Sequence, residues 1–213
     1  MAACSALLEL TGCSNLTVGG GDFGSLYQMT TAIWSGSGQD VTLRQAAAVP
    51  YASMGVRVGD GRQMMIVLAG GSGKSRLWTS AAHVTLVTID GRIVRTSGLE
   101  HNLDGYETIR SSRDAGGIRS ILWLADFSDL GLYSVPIRCE DRPLGETTIT
   151  ILGKDIRALR VDETCASESA QLDWSFRNSY WIDPESGLTW RSIQNVHPKL
   201  KAVETEILRP PAS

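Results

Sequence analysis

The stretch Val84-Thr85-Leu86-Val87-Thr88-Ile89-Asp90-Gly91-Arg92-Ile93-Val94-Arg95-Thr96 sets two β-branched runs on either side of one dipeptide. Asp-Gly supplies the positive φ values of a two-residue hairpin turn, and the flanking runs have the composition of strands. The same pattern recurs outward in both directions. Val56–Val58 and Met64–Leu68 flank Gly59-Asp60-Gly61-Arg62. Thr147–Leu152 and Ile156–Val161 flank Gly153-Lys154-Asp155, and Ser179–Ile182 and Leu188–Ile193 flank Asp183–Gly187. This spacing predicts ten to twelve strands from Tyr51 onward and an all-β fold, an antiparallel barrel or sandwich of hairpins. Segments 98–118 and 163–178 show no period and read as loops. One short helix precedes the strands: Thr42-Leu43-Arg44-Gln45 matches a capping box, Ala46–Ala48 propagate it, and Pro50 ends it near Val49.

The 213 residues suit a single β domain, and 42% hydrophobic with 20% charged residues is ordinary globular usage. A net charge of −3 without any Lys/Arg cluster argues against nucleic acid as a partner. The longest apolar run, Met64–Ala69, falls far short of the roughly 18 residues of a membrane-spanning helix. Membrane attachment would therefore have to be through a lipid.

Leu10-Thr11-Gly12-Cys13 has the branched, small, small, Cys order of a bacterial lipoprotein cleavage site, which makes Cys13 the candidate lipidation residue. Residues 1–9 carry no Lys or Arg, and Glu9 interrupts the apolar segment, so 1–13 reads as a degenerate or truncated signal segment. The competing reading is a cytosolic protein with a chance tetrapeptide. Residues 14–40, with Gly19-Gly20-Gly21, read as a flexible tether, 41–208 as one β-rich domain and 209–213 as a tail. Cys139 and Cys165 both flank strand-like segments; they form either a disulfide in an oxidising compartment or two independently buried thiols.

No spacing here supports catalysis, a cofactor or a metal. Gly70-Gly71-Ser72-Gly73-Lys74-Ser75 imitates the end of a phosphate-binding loop, but Leu68 stands where the first Gly is required and Arg76–Thr79 reads as strand. It is read as a hairpin loop. The four cysteines lack zinc spacing, and His83, His101 and His197 are scattered and read as turn or surface residues. The carboxylate pairs Asp126/Asp129, Asp141/Glu146 and Asp162/Glu163 are close only in sequence, and a glycosidase needs two that converge across a cleft. Tyr180, Trp181, Trp190 and Arg191, on facing arms of the last predicted hairpin and preceded by Trp174 and Phe176, are either core or a stacking surface for sugars.

Several segments taken together resemble the group 4 capsule polysaccharide lipoprotein family (GfcB/YjbF-like). They are Val41–Ala46 with Pro50–Ser53, Gly59–Arg62, Trp78 with Val84–Thr88, Asp90–Leu99, Asn178–Asp183 and Gly187–Ser192. Their order and spacing span about residues 40–208. The resemblance implies an antiparallel β fold, a lipid on Cys13 and a location on the periplasmic side of the outer membrane. It further implies a non-enzymatic accessory role in exporting or assembling capsule or exopolysaccharide. The partners it implies are an outer-membrane porin-like protein, other periplasmic export components and the polysaccharide itself, with no cofactor.

Overall fold

A computed structural model describes residues 40–114 and 118–211. Cys13, the signal segment and the glycine tether lie outside the described residues. Thr42 caps helix α1 (Leu43–Ala48) by accepting from the Gln45 amide at 3.3 Å, while Gln45 Oε1 accepts from the Thr42 amide at 2.8 Å, so the capping box forms as its sequence predicts.

Twelve strands follow among the described residues: β1 (Ser53–Val58), β2 (Met64–Ser72), β3 (Ser75–Thr79), β4 (Thr85–Ile89), β5 (Arg92–Ser97) and β6 (Gly105–Arg113), then β7 (Arg119–Phe127), β8 (Leu132–Ile151), β9 (Lys154–Ser167), β10 (Ser175–Ile182), β11 (Thr189–Gln194) and β12 (Val203–Arg209). All belong to one antiparallel sheet in the order β5-β4-β3-β2-β1-β12-β11-β10-β9-β8-β7-β6, curled into a nearly closed barrel. Two meanders, β1–β5 and β6–β12, are thus joined where the first strand pairs with the last, Val56 opposite Thr205. The two edges of the sheet, β5 and β6, are consecutive in sequence. No helix of the described residues is long and apolar enough to cross a membrane.

Alternation sorts the side chains. Met54, Val56, Ile66, Trp78, Leu86, Ile121, Trp123, Phe127, Ile137 and Val203 face inward and form the main core. Helix α1 lies on the outside of the sheet, where Val41, Ala46 and Val49 cover Met65 and Val67. This explains why β1 is buried on both faces along most of its length.

The Asp90-Gly91 turn forms with φ of 49° and 80°, both positive as the dipeptide requires. In the β10–β11 turn the Asp183 carboxylate accepts from the amides of Ser186 and Glu185 and from the Trp190 indole, which holds its pKa at about 2. Three expectations are corrected. The β8–β9 turn is Leu152-Gly153, both at positive φ, and Lys154 and Asp155 already belong to β9. β12 extends through Arg209, into the segment read as a tail. Segments 98–118 and 163–178 are not simply loops: the first contains β6, Gly105–Arg113, and the second holds the end of β9 and the start of β10. β6, Gly-Tyr-Glu-Thr-Ile-Arg-Ser-Ser-Arg, is exposed on both faces over most of its length, so no apolar alternation marks it. In β9 the inward position between Val161 and Cys165 is a charged Glu163, which breaks the period.

Gly91 shows how tightly the β4–β5 turn is seated: a Cβ there would lie 2.3 Å from Thr189, whereas a Cβ at Gly153, also at positive φ, would meet nothing within 4 Å. Gly153→Ala should lose about 1–2 kcal/mol for its left-handed backbone, and Gly91→Ala clearly more, as read by urea unfolding of both variants.

Candidate functional site

The polar centre of the barrel lies beside the seam between β5 and β6. At one end β5 is tied to the loop that leads into β6, where the Thr96 amide donates to Leu103 O at 2.8 Å and the Leu103 amide to Thr96 Oγ1 at 2.9 Å. Away from that end β5 turns inward, and side chains from β11 occupy the edge that a neighbouring strand would have paired. Gln194 Oε1 accepts from the Ile93 amide at 2.9 Å, Gln194 Nε2 donates to Gly91 O at 2.8 Å, and Thr189 Oγ1 donates to Asp90 O at 3.2 Å. One carboxamide thus replaces the peptide group of a missing strand partner.

Arg92 follows that turn and reaches Glu163 on β9 through both guanidinium nitrogens, one of them at 2.9 Å. Glu163 is fully buried and also accepts from Asn178 Nδ2 at 2.8 Å and Tyr180 Oη at 3.3 Å. The guanidinium lies between the rings of Tyr180 and Tyr106, 5.3 and 5.7 Å from their centroids. Burial by itself would raise the Glu163 pKa, but the Arg92 charge and hydrogen bonds bring it below the usual carboxylate range. Burial also keeps Tyr180 a neutral phenol.

Directly opposite Glu163 on β8 stands Asp141, paired with Arg119 at 2.7 Å. Burial first and the Glu163 charge second push its pKa up, against the pull of Arg119. Its Oδ1 is buried and accepts no hydrogen bond. The two acids therefore shift in opposite directions, because Arg92 and its hydrogen bonds outweigh burial at Glu163 while Arg119 does not outweigh it at Asp141. One register step further, Cys139 opposes Cys165 and the two are joined as a disulfide, to which the Trp123 indole donates at 3.1 Å. The sulfurs lie near Glu163 but, being bonded to each other, offer no thiolate to a metal.

None of the carboxylate pairs close in sequence is a site. Asp162 and Glu163 point to opposite faces, Glu146 pairs with Arg157, and Asp126 accepts from the Ser134 amide. The converging pair, Asp141 with Glu163, spans two strands and becomes visible only once register is known. The four hairpin residues also separate. Tyr180 belongs to the buried network and Trp190 packs on the main core. Trp181 and Arg191 lie opposite each other on the outer face, where the guanidinia of Arg191 and Arg160 cover the indole and Arg191 pairs with Glu206.

The histidines are not scattered surface groups, His83 excepted. His101 and His197 stack with centroids 4.9 Å apart and share the carboxylate of Asp129, at 2.7 and 2.9 Å. His197 is 1% exposed, with Phe127 edge-on to it. The three residues come from the β5–β6 loop, the 3-10 turn Ser128–Leu130 and the β11–β12 connection, so no local spacing announces them. Two histidines and a carboxylate are a donor set that metals take. Here, however, the Lys199 amide donates to His197 Nδ1 at 3.1 Å, which puts the ring proton on Nε2, where it is donated to Asp129. A metal on Nε2 would need that proton moved to Nδ1, against the Lys199 N–H. The group as arranged is a clamp holding three connections together.

These features sit in a chain whose relatives can now be stated. The family described as "Group 4 capsule polysaccharide lipoprotein gfcB, YjbF" matches residues 27–208. The chain belongs to this family. Within it, the chain is 27% identical over 183 residues to an uncharacterized lipoprotein, GfcB, of Escherichia coli K12, covering 81% of this chain and 83% of that protein. The fold resembles the crystal structure of a hypothetical lipoprotein, YmcC, from Escherichia coli K12, with a TM-score of 0.64 and 24% identity over 81% of this chain and 91% of that one. The capsule lipoprotein family is therefore the frame for the site.

Two outcomes follow. Arg92→Met or Glu163→Leu alone strands a buried charge and should cost about 3–5 kcal/mol in urea unfolding, whereas the double variant should recover most of that loss. Burial depresses the His197 pKa below its ordinary 6.5 more than Asp129 raises it, so as pH falls the unfolded chain takes up this proton first. The His197 contribution should be complete well above 6.5 and decline as pH drops through 6.5 toward 5.5, by up to ~1.4 kcal/mol per pH unit. His197→Gln should flatten this part of the stability profile measured by urea at each pH.

Proposed function

We propose that this protein is a non-enzymatic lipoprotein on the periplasmic side of the outer membrane, an accessory factor in the export and assembly of capsule or exopolysaccharide. The observation that carries this is the family match, which takes in the whole barrel, β1 to all but the last residue of β12. Leu10-Thr11-Gly12-Cys13 and the glycine-rich segment after it support a lipid on Cys13, and a lipid group with two or more acyl chains anchors durably where one chain does not. The partners of this reading are a porin-like outer-membrane protein and other periplasmic export components. Glu163 supports a structural rather than a catalytic role for the carboxyl pair, because it is fully buried and bonded internally to Arg92, Asn178 and Tyr180.

Expression from the native locus, with membrane fractionation and mass analysis of the N-terminal peptide, should find a diacylated Cys13 in outer-membrane fractions and lose it in Cys13→Ala. Deleting the gene should lower surface or secreted polysaccharide, with recovery on complementation by the wild type. An unmodified cytosolic protein, or polysaccharide unchanged by the deletion, overturns the reading.

A further inference from the structure

The barrel is clamped at one end and open at the other. Connections of an antiparallel meander alternate between its two ends, so the β5–β6, β7–β8 and β11–β12 connections that meet in the His101–Asp129–His197 clamp share one end. The β2–β3, β4–β5 and β10–β11 turns and the residues after β12 share the other, and there they surround a cavity of about 480 Å³. This is within the range of small-ligand sites, and a barrel mouth is a usual place for one. Met54, Trp78 and Ile207 of the main core form the floor, and Leu188 and Trp190 one wall.

Three charged side chains line the cavity, Lys74, Arg76 and Asp90. Lys74 Nζ lies 2.7 Å from Asp90 Oδ2, so these two compensate each other between the β2–β3 and β4–β5 turns. Arg76 is on the same face of β3 as the buried Trp78, and Gly71 opposite it leaves room for its stem, since a Cβ there would lie 3.2 Å from Arg76 Cδ. Arg76 Nη1 donates to Gly73 O and, at 3.1 Å, to Ser75 O, both uncharged acceptors. Its bonds among the described residues leave Nε and Nη2 unused, and this is the edge on which a guanidinium takes a carboxylate with two parallel bonds. Asp183, in the neighbouring turn, is already taken up by the Glu185 and Ser186 amides and the Trp190 indole.

Trp190 is half-buried, and the bond from its indole N–H to Asp183 at 3.2 Å fixes how the ring stands at the mouth. An indole presents an electron-rich face, which suits the C–H face of a sugar ring. Thr189 beside it donates to Asp90 O at 3.2 Å and ties the β4–β5 turn to the start of β11. The mouth is therefore held in shape without a ligand, which lowers the ordering cost of binding one.

We propose that this mouth binds an acidic sugar unit of a polysaccharide, its carboxylate on the Nε–Nη2 edge of Arg76 and its ring against Trp190. This rests on the polysaccharide reading above and names its ligand class.

The test is calorimetric titration of the full chain with trigalacturonate and with its methyl ester, which keeps the shape and removes the charge, alongside amide and indole NMR. The acid should bind about tenfold more tightly than the ester, with shifts centred on Gly73–Arg76, Ser186–Thr189 and the Trp190 indole N–H. Arg76→Gln should weaken binding by about the same factor, while Arg138→Gln, which removes an exposed arginine of β8, should leave it unchanged. Ser186→Trp, at an exposed turn position, should fill the mouth and abolish binding with an unchanged melting temperature. Equal affinity for acid and ester, an equal loss in Arg138→Gln, or wild-type binding by both Arg76→Gln and Ser186→Trp overturns the proposal. Absence of binding in a protein whose deletion still lowers polysaccharide overturns this inference and leaves the functional reading standing. Binding here with polysaccharide unchanged in the deletion strain overturns the functional reading and leaves the site.

Discussion

The bidentate pair between Arg92 and Glu163 joins strands 71 residues apart through the inside of the barrel, and the geometry of the seam depends on it. Removing both charges from water is costly, and the cost is offset because Arg92 binds both Glu163 oxygens while Asn178 and Tyr180 add hydrogen bonds to Oε2. A pair of this kind fixes geometry more than it adds stability. It holds the start of β5 against β9 and β11, so that β5 does not lie along β6, and the Gln194 carboxamide satisfies the edge this leaves unpaired. The opening between the two edge strands is therefore the counterpart of a polar interior.

Much of this fold was legible in the sequence for a local reason. Asp90-Gly91 demands a turn that few other backbones accept, and Thr42 with Gln45 writes a helix start into four residues. What was lost belongs to long-range context. β6 is polar because its faces are not covered by core, a fact about neighbours that are distant in sequence, and Glu163 looks like a loop residue until Arg92 is brought to it. The Leu152-Gly153 turn was displaced because Leu is a poor prior for positive φ.

The site was less legible than the fold. Strand alternation alone could have separated Tyr180 from Trp181 and Asp162 from Glu163, since adjacent residues of a strand face opposite ways. No pattern in the chain could have joined Asp141 to Glu163, or His101 to Asp129 and His197, because those groupings follow from register and from three separate connections. The family resemblance, carried by turns and aromatics, located the polysaccharide context without locating any of these groups.

The strand order has a consequence for how the chain reaches this structure. Every pairing but one joins strands consecutive in sequence, so each meander can assemble from near-neighbour contacts. The exception, β1 with β12, must bring Ser53 to Arg209, and its loop-closure entropy falls on a single late event. The barrel is thus two ribbons of local pairings hinged at the β5–β6 loop, and the His101–Asp129–His197 clamp sits on that hinge.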